Sequence, residues 1–573
     1  MSVKPFFRIN SSNTLKALLI SICSISPLAA EEPITPPMVN IPAGDFMMGS
    51  NFGKDRNKPR HLVSLPAFQM GKYLVTVHEF RKYVLETGNT PKANCVDSLN
   101  ENWMSGKYEG TASWDNNRYL KNDYQPVTCI SWHDATTYAN WLSEKTGIQY
   151  RLPTEEEWEY AATANTKSRF SWGDDPNLTQ ACFYGNFGDQ AGEYFGSQQY
   201  GASYVGYIGH ANCNDGEGFN SIVGLYRPNP FGLYDMHGNV KQYLGSCYYP
   251  GYQTRTTKEM NIDSCETVAF RGTIWHFIPE PNYFRGGFLK SDAPNAILGF
   301  RLAIDGSNDT SHQSSNFFEE HLQKAQDKHL ASRIEIPAIP NKIQFKQEKN
   351  NTYKLSWQPN DDKNVIAYEV YRSIVPYAHL LGGFYQKHYK KIETVPANNN
   401  KIYINQIKPD DSFIVVAKTK DAISLPSEAL VTAKPKSLDI PGRLNVFDAV
   451  SIENAHLKHR VPKNNEPELY YLLRYTGLEQ TATNVEFKVN VKKSAWYSLN
   501  YRGRRGGKGE FFKLWRNNKL ISNIHYDKEI DDKKSNRHKV FLEQGNYNVQ
   551  MTIVRETPDL WSLAWLDFKE TQK

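Results

Sequence analysis

The sequence lacks the motifs that mark several common enzyme and membrane classes. Seven of its 573 residues are cysteine, and no two of them have the Cys-x-x-Cys spacing typical of tetrahedral zinc sites. It contains neither a glycine-rich phosphate-binding loop nor the nucleophile elbow of α/β-hydrolases. After the first 30 residues, no apolar run is long enough for a transmembrane helix. These absences argue against three classes of protein: P-loop nucleotide hydrolases, α/β-hydrolases and proteins with a transmembrane anchor.

The length and composition are those of a folded protein with several domains. A chain of 573 residues exceeds a single hydrophobic core, so about three domains are expected. Aromatic residues make up 13% of the chain and charged residues 22%, which is typical of folded, β-rich proteins. The net charge is +6, and residues 443–573 alone have 23 Lys plus Arg against 16 Asp plus Glu, a net +7. The basic excess therefore belongs to the C-terminal segment.

The N-terminus has the layout of a secretory signal peptide. Lys4 and Arg8 precede an apolar run from Ala17 to Leu28, and the small residues Ala29 and Ala30 follow it. Cys23 raises the alternative of a lipoprotein, but Ile22 before it is larger than the residue such sites require. We therefore predict that residues 1–30 are a signal peptide and that the protein is periplasmic or secreted.

The mature chain would keep six cysteines, all in its front half. An even number in an exported protein predicts disulfide bonds, although the sequence leaves fifteen pairings open. The simplest pairings are local, Cys182 with Cys213 and Cys247 with Cys265, because each would close one long loop. The six candidates are Cys95, Cys129, Cys182, Cys213, Cys247 and Cys265.

The chain divides into segments that differ in composition and in predicted secondary structure. Residues 38–305 are rich in Gly, Trp, Tyr and Asn, with three short helices expected to begin at Thr76, Asp134 and Thr154. Residues 306–335 are a linker, in which Phe318, Leu322 and Ala325 predict a short helix. Residues 336–435 and 444–573 show short alternating strands between turn residues, which predicts two β-sandwiches.

An ordered set of motifs in the front segment resembles the formylglycine-generating enzyme, or sulfatase-modifying factor, family. The longest block, Arg151 to Ala162, reads Arg-Leu-Pro-Thr-Glu-Glu-Glu-Trp-Glu-Tyr-Ala-Ala. The others are Met38 to Gly44, Pro126 to Trp132, Trp172-Gly173, Asn229 to Val240, Arg285-Gly286-Gly287 and Gly299 to Leu302. The resemblance implies an α+β domain with a variant of the C-type lectin fold, followed here by two all-β sandwiches.

The two later segments carry shorter resemblances. The order of Trp357, Tyr368 and Pro426-Ser427-Glu428 is similar to a fibronectin type III module, which implies a spacer. The Gly545-Asn546-Tyr547 pattern followed by Trp565 to Phe568 is similar to the last strands of jelly-roll carbohydrate-binding modules.

The segment that would carry the family's copper ligands contains no cysteine here. The family oxidises a sulfatase cysteine with copper held by two thiolates that follow the Arg-Gly-Gly motif. Eleven residues, Phe288 to Leu298, separate Gly287 from Gly299, and the two thiolate positions fall on Ser291 and Ala296. A hydroxyl and a methyl group cannot replace soft sulfur ligands, so we expect neither copper nor formylglycine formation.

Calcium is the candidate cofactor that the resemblance leaves open. Asn186 and Asp215 occupy places comparable to the ligands of one family site, and carbonyls of Phe187 and Glu217 could complete it. The alternative is that both are ordinary turn residues. Asn239 marks a second site, but the Lys241-Gln242 pair after it replaces a carboxylate with an amide and adds a cation. We expect that second site to be weak or empty.

The basic tail offers a candidate anion site. Residues 502–509 predict a glycine-hinged hairpin loop crowded with cations, and tryptophans of the same segment could provide stacking faces. Guanidinium groups suit sulfate and carboxylate because they donate paired hydrogen bonds. The alternative is a solvated loop beside core tryptophans. The candidate glycan- or anion-binding residues are Arg502, Arg504, Arg505, Lys508 and Trp515.

Two classes of function remain after this reading. One is an exported binding or scaffold protein, including a surface receptor, whose partner is a glycan, a cell-envelope component or another protein, and not nucleic acid. The other is an oxidoreductase using iron or another cofactor arrangement in the same fold, as in the ergothioneine-synthase and pyoverdine-maturation relatives that also lack the cysteines. Metal analysis and glycan binding discriminate between them.

Overall fold

A computed structural model describes residues 35–572 with internal gaps. The gaps are 52–54, 94, 96–111, 176–177, 201–210, 212, 253–266, 308–312, 349–350, 376–377, 379–384, 409–410, 433–437, 446–448, 450, 454–455, 461–468, 475–482, 505–508, 527–537 and 554–560. The predicted signal peptide and Cys265 lie outside the described residues.

The front segment consists of short strands and helices joined by long connections. The strands are β1 (Met38–Ile41), β2 (Gly44–Met48), β3 (His61–Leu65), β4 (Phe68–Gly71), β5 (Lys241–Cys247), β6 (Thr267–Arg271), β7 (Gly286–Lys290), β8 (Leu298–Phe300) and β9 (Ala303–Asp305). The helices are α1 (Val77–Thr87), α2 (Trp132–Thr146), α3 (Glu155–Thr163) and α4 (Gln190–Tyr200). This mixture is the predicted α+β class; the C-type lectin topology stays a prediction.

Three small sheets organise these strands. Strand β4 pairs with β1 and β9, β2 pairs with β3, and a four-stranded sheet has the order β7-β6-β5-β8. Two buried clusters lie between the sheets and helices: one packs α1 against α2 through aromatic rings such as Phe80, Tyr83 and Tyr138, and the other surrounds Trp158 of α3. The sheets therefore form a framework, and the connections between them carry the polar residues described below.

Local hydrogen bonds start the three predicted helices. Thr76 and Thr154 each accept a backbone hydrogen bond and form capping boxes with Glu79 and Glu157. The expectation that Asp134 begins α2 was wrong by three residues. Ser131 is the N-cap, and Asp134 is the third helical residue whose carboxylate accepts from the Ser131 amide. An acidic residue completes a capping box as well as starting one, which explains the shift.

The predicted linker helix is longer than expected and docks on the front segment. Helix α5 (Gln313–Ala331) buries Phe318 and Leu322 against Leu74, Ile222 and Val240. Among the described residues, no helix combines the length and apolarity needed to cross a lipid bilayer.

The segment after α5 forms two facing sheets with seven strands. One sheet has the order β10-β11-β14 and the other β13-β12-β15-β16. Trp357, Tyr368 and Phe413 are buried between them. The strands are β10 (Asn341–Gln347), β11 (Thr352–Gln358), β12 (Ala367–Ser373), β13 (Tyr389–Pro396), β14 (Lys401–Asn405), β15 (Ser412–Lys418) and β16 (Leu430–Val431).

The tail contains two six-stranded sheets around a shared apolar core. One has the order β17-β22-β27-β24-β25 with β19 beside β22, and the other has the order β20-β21-β28-β23-β26 with β18 beside β28. The strands are β17 (Leu438–Ile440), β18 (Gly442–Asn445), β19 (Ser451–Glu453), β20 (His456–Arg460), β21 (Leu469–Arg474), β22 (Thr483–Val491), β23 (Ala495–Arg504), β24 (Gly509–Arg516), β25 (Lys519–Tyr526), β26 (His538–Leu542), β27 (Gly545–Ile553) and β28 (Trp561–Thr571). Phe487 and Val489 of one sheet and Tyr497 and Leu499 of the other share the core.

Candidate functional site

A buried polar cluster lies where two long connections of the front segment meet. The disulfide Cys182–Cys213 ties these connections together, as the local pairing predicted. The cluster contains the carboxylates of Asp189 and Asp215, which lie within 4.8 Å of each other, and Asn186, which directly precedes the Phe187 amide bound by Asp215; Asn186 and Asp215 are the two predicted calcium ligands. All three side chains are almost fully buried, with 0% exposure for Asn186 and Asp189 and 4% for Asp215.

Backbone amides hold both carboxylates in place. Asp215 accepts hydrogen bonds from the amides of Phe187 (2.9 Å) and Glu217 (2.8 Å). Asp189 accepts from the amides of Gly192 (2.9 Å) and Asp215, so the two acids are directly linked. The two Asp215 oxygens each accept one of these backbone hydrogen bonds, and a carboxylate oxygen has two lone pairs.

Asn186 brings an oxygen that lacks a partner. Its side-chain amide donates to the Phe219 carbonyl at 2.6 Å, which fixes the orientation of the group. Its Oδ1 atom is buried and accepts no hydrogen bond. A buried acceptor without a donor costs about 1–3 kcal/mol, and a bound cation would remove that cost.

The electrostatics of the cluster also favour a cation. Burial raises the pKa of Asp189 to about 7. Burial, and then the neighbouring Asp189 charge, raise the pKa of Asp215 well above its ordinary value. Cys182 Sγ also faces the cluster, but it is disulfide-bonded and offers no thiolate. The donors are therefore oxygens, which suit a hard cation such as calcium.

Asp189 is the functional candidate that the sequence reading missed. The available signal was its position three residues after Asn186 and immediately before a helix, since Asp is a preferred N-cap. Its proximity to Asp215 depends on tertiary structure, because the two residues are 26 positions apart in the chain.

The second predicted site has its oxygens engaged by protein donors. Asn239 Oδ1 accepts from the Ser221 amide at 3.0 Å, and its amide group contacts the Ser221 carbonyl. Gln242 Oε1 accepts from Trp158 (2.8 Å) and from the buried guanidinium of Arg301 (2.7 Å). The Asn239 backbone amide donates to the Asn186 carbonyl at 2.8 Å, so this second site adjoins Asn186, but its side-chain oxygens belong to a hydrogen-bonded core.

The segment between β7 and β8 lies against the start of α2. The Ser291 carbonyl accepts from the Trp132 amide at 3.1 Å, and its hydroxyl lies 3.1 Å from His133 Nε2. Ala296 is 1% exposed and belongs to an apolar cluster with Trp275 and the Cys95–Cys129 disulfide. Neither position carries a sulfur ligand, and the second is closed by core packing.

Two other residues of the front segment, His237 of the Asn229 to Val240 motif and the disulfide candidate Cys247, make structural contacts. His237 is 2% exposed, contacts Asn282 through Nε2 at 2.7 Å, and is ringed by Trp158, Phe170 and Trp172. Burial lowers the pKa of His237 to about 4. Cys247 is also disulfide-bonded.

The predicted anion loop of the tail is arranged differently from a hairpin. Arg502 and Arg504 lie in β23, which pairs with β26 and β28, whereas β24 pairs with β25 and β27. Strands β23 and β24 therefore belong to different sheets and do not pair with each other, so the hairpin expectation was wrong. Arg505 and Lys508 lie outside the described residues, and Trp515 is half-buried in β24.

The front segment is similar to a known protein family. Residues 26–306 match the family model described as "Sulfatase-modifying factor enzyme 1-like domain". The formylglycine-generating enzyme of Streptomyces coelicolor is 30% identical over 329 residues, which cover 50% of this chain and 97% of that relative. The mouse protein named "Inactive C-alpha-formylglycine-generating enzyme 2" is 28% identical over 265 residues, covering 41% of this chain and 77% of the relative.

Solved structures match separate parts of the chain. PvdO from Pseudomonas aeruginosa covers 48% of this chain and 99% of its own, with 28% identity and a TM-score of 0.37. A β-1,3-glucan-binding module of the CBM6 type from Bacillus halodurans covers 23% of this chain and 99% of its own, with 11% identity and a TM-score of 0.20. The family match and the Streptomyces relative together establish that this chain belongs, through its front segment, to the family of the sulfatase-modifying factor enzyme 1-like domain.

Proposed function

We propose that the protein is an exported binding or scaffold protein whose front domain keeps the family fold without formylglycine chemistry. The observation that carries this proposal is the segment between β7 and β8, where Ser291 and buried Ala296 stand at the positions of the copper thiolates. A family relative from mouse bears the name of an inactive enzyme. The disulfides Cys95–Cys129 and Cys182–Cys213 agree with an oxidising compartment such as the periplasm or the exterior.

A peptide conversion assay tests the loss of chemistry. A sulfatase-derived cysteine peptide is incubated with Cu(I), oxygen and the mature protein, and the product is followed by mass spectrometry. We expect no aldehyde product, because no thiolate pair presents copper to the substrate. The Streptomyces coelicolor enzyme under the same conditions is the positive control, and turnover by this protein at a comparable rate would refute the proposal.

We assign a structural calcium ion to the Asn186, Asp189 and Asp215 cluster as part of this function. Two carboxylates, the Asn186 oxygen and the neighbouring carbonyls of Phe187 and Glu217 offer the oxygen donors that calcium requires. The second site is assigned no ion, because Arg301 already supplies a cation beside Gln242. Isothermal titration should find one calcium site, lost in Asp215→Asn and kept in Asn239→Ser.

The binding partner is assigned to the tail as an acidic or sulfated glycan or envelope component. The support is the +7 charge of residues 443–573 and the two arginines in the last part of β23. The fibronectin type III-like segment, with its three- and four-stranded sheets, would act as a spacer.

Heparin chromatography of the full mature chain tests the tail site. Replacing Arg502, Arg504 and Arg505 by alanine should lower the eluting salt concentration clearly. A control that removes the same charge from exposed Lys488, Lys519 and Lys569 should change it much less. Equal shifts for the two variants would mean that retention follows net charge and that no specific site exists.

The alternative is an oxidoreductase with a different metal arrangement in the same fold. Elemental analysis of the purified protein distinguishes it from the binding protein. Stoichiometric iron or copper would favour the oxidoreductase, whereas calcium alone would favour the binding protein.

A further inference from the structure

Helix α5 contacts the front domain along most of its length. Glu319 accepts hydrogen bonds from Lys72 Nζ (2.6 Å) and the Tyr73 hydroxyl (3.2 Å). About two helical turns after Glu319, Gln326 donates to the Val223 carbonyl at 2.6 Å. Together with the buried Phe318 and Leu322, these contacts fix the linker against the domain that precedes it.

The C-terminal end of this helix reaches the cation cluster. His329 Nε2 lies 2.8 Å from Glu217 Oε1, and Arg333 Nη2 lies 3.2 Å from the same oxygen. Arg333 Nε also donates to the Gly216 carbonyl at 3.2 Å. Gly216 and Glu217 directly follow Asp215, so two side chains of the linker segment hold the strip that carries a cation ligand.

Gly216 makes this contact possible. Its backbone has φ +80°, and a Cβ atom added there would lie 2.2 Å from Arg333 Nε. The guanidinium therefore packs directly on the backbone beside Asp215, and a shift of that backbone would displace it.

Asp189 links the cluster to a second contact, which helix α4 makes with the following β-sandwich. Asp189 Oδ1 accepts from the Gly192 amide at 2.9 Å, which caps the start of α4. Tyr194, in the first turns of α4, is hydrogen-bonded to the backbone of Ile423 in the following β-sandwich. The cluster thus lies between two separate contacts that join the front domain to the rest of the chain.

We propose that cation binding at Asn186, Asp189 and Asp215 is coupled to docking of α5 and the following β-sandwich on the front domain. The inference rests on the calcium site proposed above and adds a role for it as an interdomain clasp. Without a cation, two buried carboxylates and an orphaned amide oxygen oppose the close approach of their loops. A bound cation would hold residues 186–189 and 213–217 together. The surfaces that contact α5 and the following β-sandwich would then keep their shape.

The coupling is reciprocal by thermodynamic necessity. If the cation strengthens docking, then docking strengthens cation binding by the same factor. A change in Arg333, which touches no proposed ligand side chain, must then weaken calcium binding.

Hydrogen exchange and calorimetry on the full mature chain test the proposal. Amide exchange of residues 313–331 is measured in calcium and after chelation, and calcium affinity is measured by titration. We expect calcium to slow exchange in α5, and Arg333→Ala to weaken calcium binding on the order of tenfold, within the range of coupled sites. Lys328→Ala, at an exposed position of the same helix, is the matched control and should leave calcium affinity unchanged.

The outcomes separate the inference from the proposed function. Calcium binding with identical α5 exchange in both conditions would overturn the clasp and leave the calcium site intact. Absence of calcium binding would overturn both. If Arg333→Ala does not fold, the comparison of the parent chain with and without calcium still decides.

Discussion

Glu79 is a carboxylic acid buried in the first turn of α1, with 3% exposure. It accepts hydrogen bonds from the Thr76 amide (2.8 Å) and hydroxyl (2.7 Å) as part of the capping box. Burial outweighs these hydrogen bonds and raises the pKa of Glu79 to about 7. The folded domain therefore holds this proton at pH values where an unfolded chain has released it.

This raised pKa predicts a pH dependence of stability. Between pH 4.5 and 7 the folded state binds more protons than the unfolded state, so stability falls as the pH rises through that window. The loss amounts to about 3 kcal/mol. Glu79→Gln should flatten the thermal midpoint against pH for the front domain, whereas Glu86→Gln on the exposed side of the same helix should not. Parallel profiles for all three proteins would contradict the assignment.

Glu155, the first residue of α3, forms ion pairs with two buried arginines of the front domain. It pairs with Arg285 through Nε (2.6 Å) and Nη2 (2.8 Å), and with Arg271 Nε at 3.0 Å. All three side chains are at most 2% exposed.

Removing the Glu155 charge should destabilise the fold strongly. Glu155→Gln leaves buried guanidinium groups without full compensation, a loss of about 3–5 kcal/mol. Asp305→Asn breaks an ion pair with Arg151 in which the acid is 86% exposed, and should cost at most about 1 kcal/mol. Chemical unfolding of the two variants measures the difference, and equal effects would show that burial does not govern these pairs.

Motif spacing in the sequence singled out Asn186 and Asp215 as candidate ligands, and this assignment stays a prediction. Asp189 reaches Asp215 only through the fold. The absence of thiolates at Ser291 and Ala296 was readable directly, but the packing of Ala296 against a disulfide was not.

Among the elements, those specified by local interactions were predictable. The capping residues of α1 and α3 are followed by apolar positions at helical spacing, and both helices begin where expected. Helix α4 was missed because its sequence is rich in Gly and Gln and its N-cap, Asp189, also contacts Asp215. The strand pairing of β23 and β24 was misjudged because assignment to a sheet depends on contacts distant in sequence.

The cap of α2 offers a test at this scale. Ser131→Ala removes the acceptor of the Asp134 amide and should destabilise the front domain by about 1 kcal/mol. Thr137→Ala, on the exposed face of the same helix, serves as the control. A thermal midpoint unchanged by Ser131→Ala would mean that packing alone starts α2.

The whole molecule concentrates its covalent links in the front domain. The pairs Cys95–Cys129 and Cys182–Cys213 lie in this domain, Cys247 is also disulfide-bonded, and the β-sandwich segments contain no cysteine. Each pair constrains the unfolded chain by roughly 2–4 kcal/mol.

Thiol counting and reduction therefore give a domain-specific result. A chain that begins at residue 31, denatured without reduction, should show almost no free thiol, and reductant should lower the unfolding temperature of the front domain alone. Calorimetry resolves the separate transitions. Several free thiols before reduction, or an equal shift in the tail transition, would contradict this distribution.

The tail pairs β18, its second strand and close to where the chain enters, with its last strand, β28. In the pairing of β18 with β28, Gly442 lies opposite Phe568 and Asn445 opposite Trp565. A module with adjacent entrance and exit can be cut from its context and spliced into a surface loop of another protein with short joints. The two ends of the segment can likewise be joined and new ends opened in a turn elsewhere, so this segment is suited to transplantation as a unit.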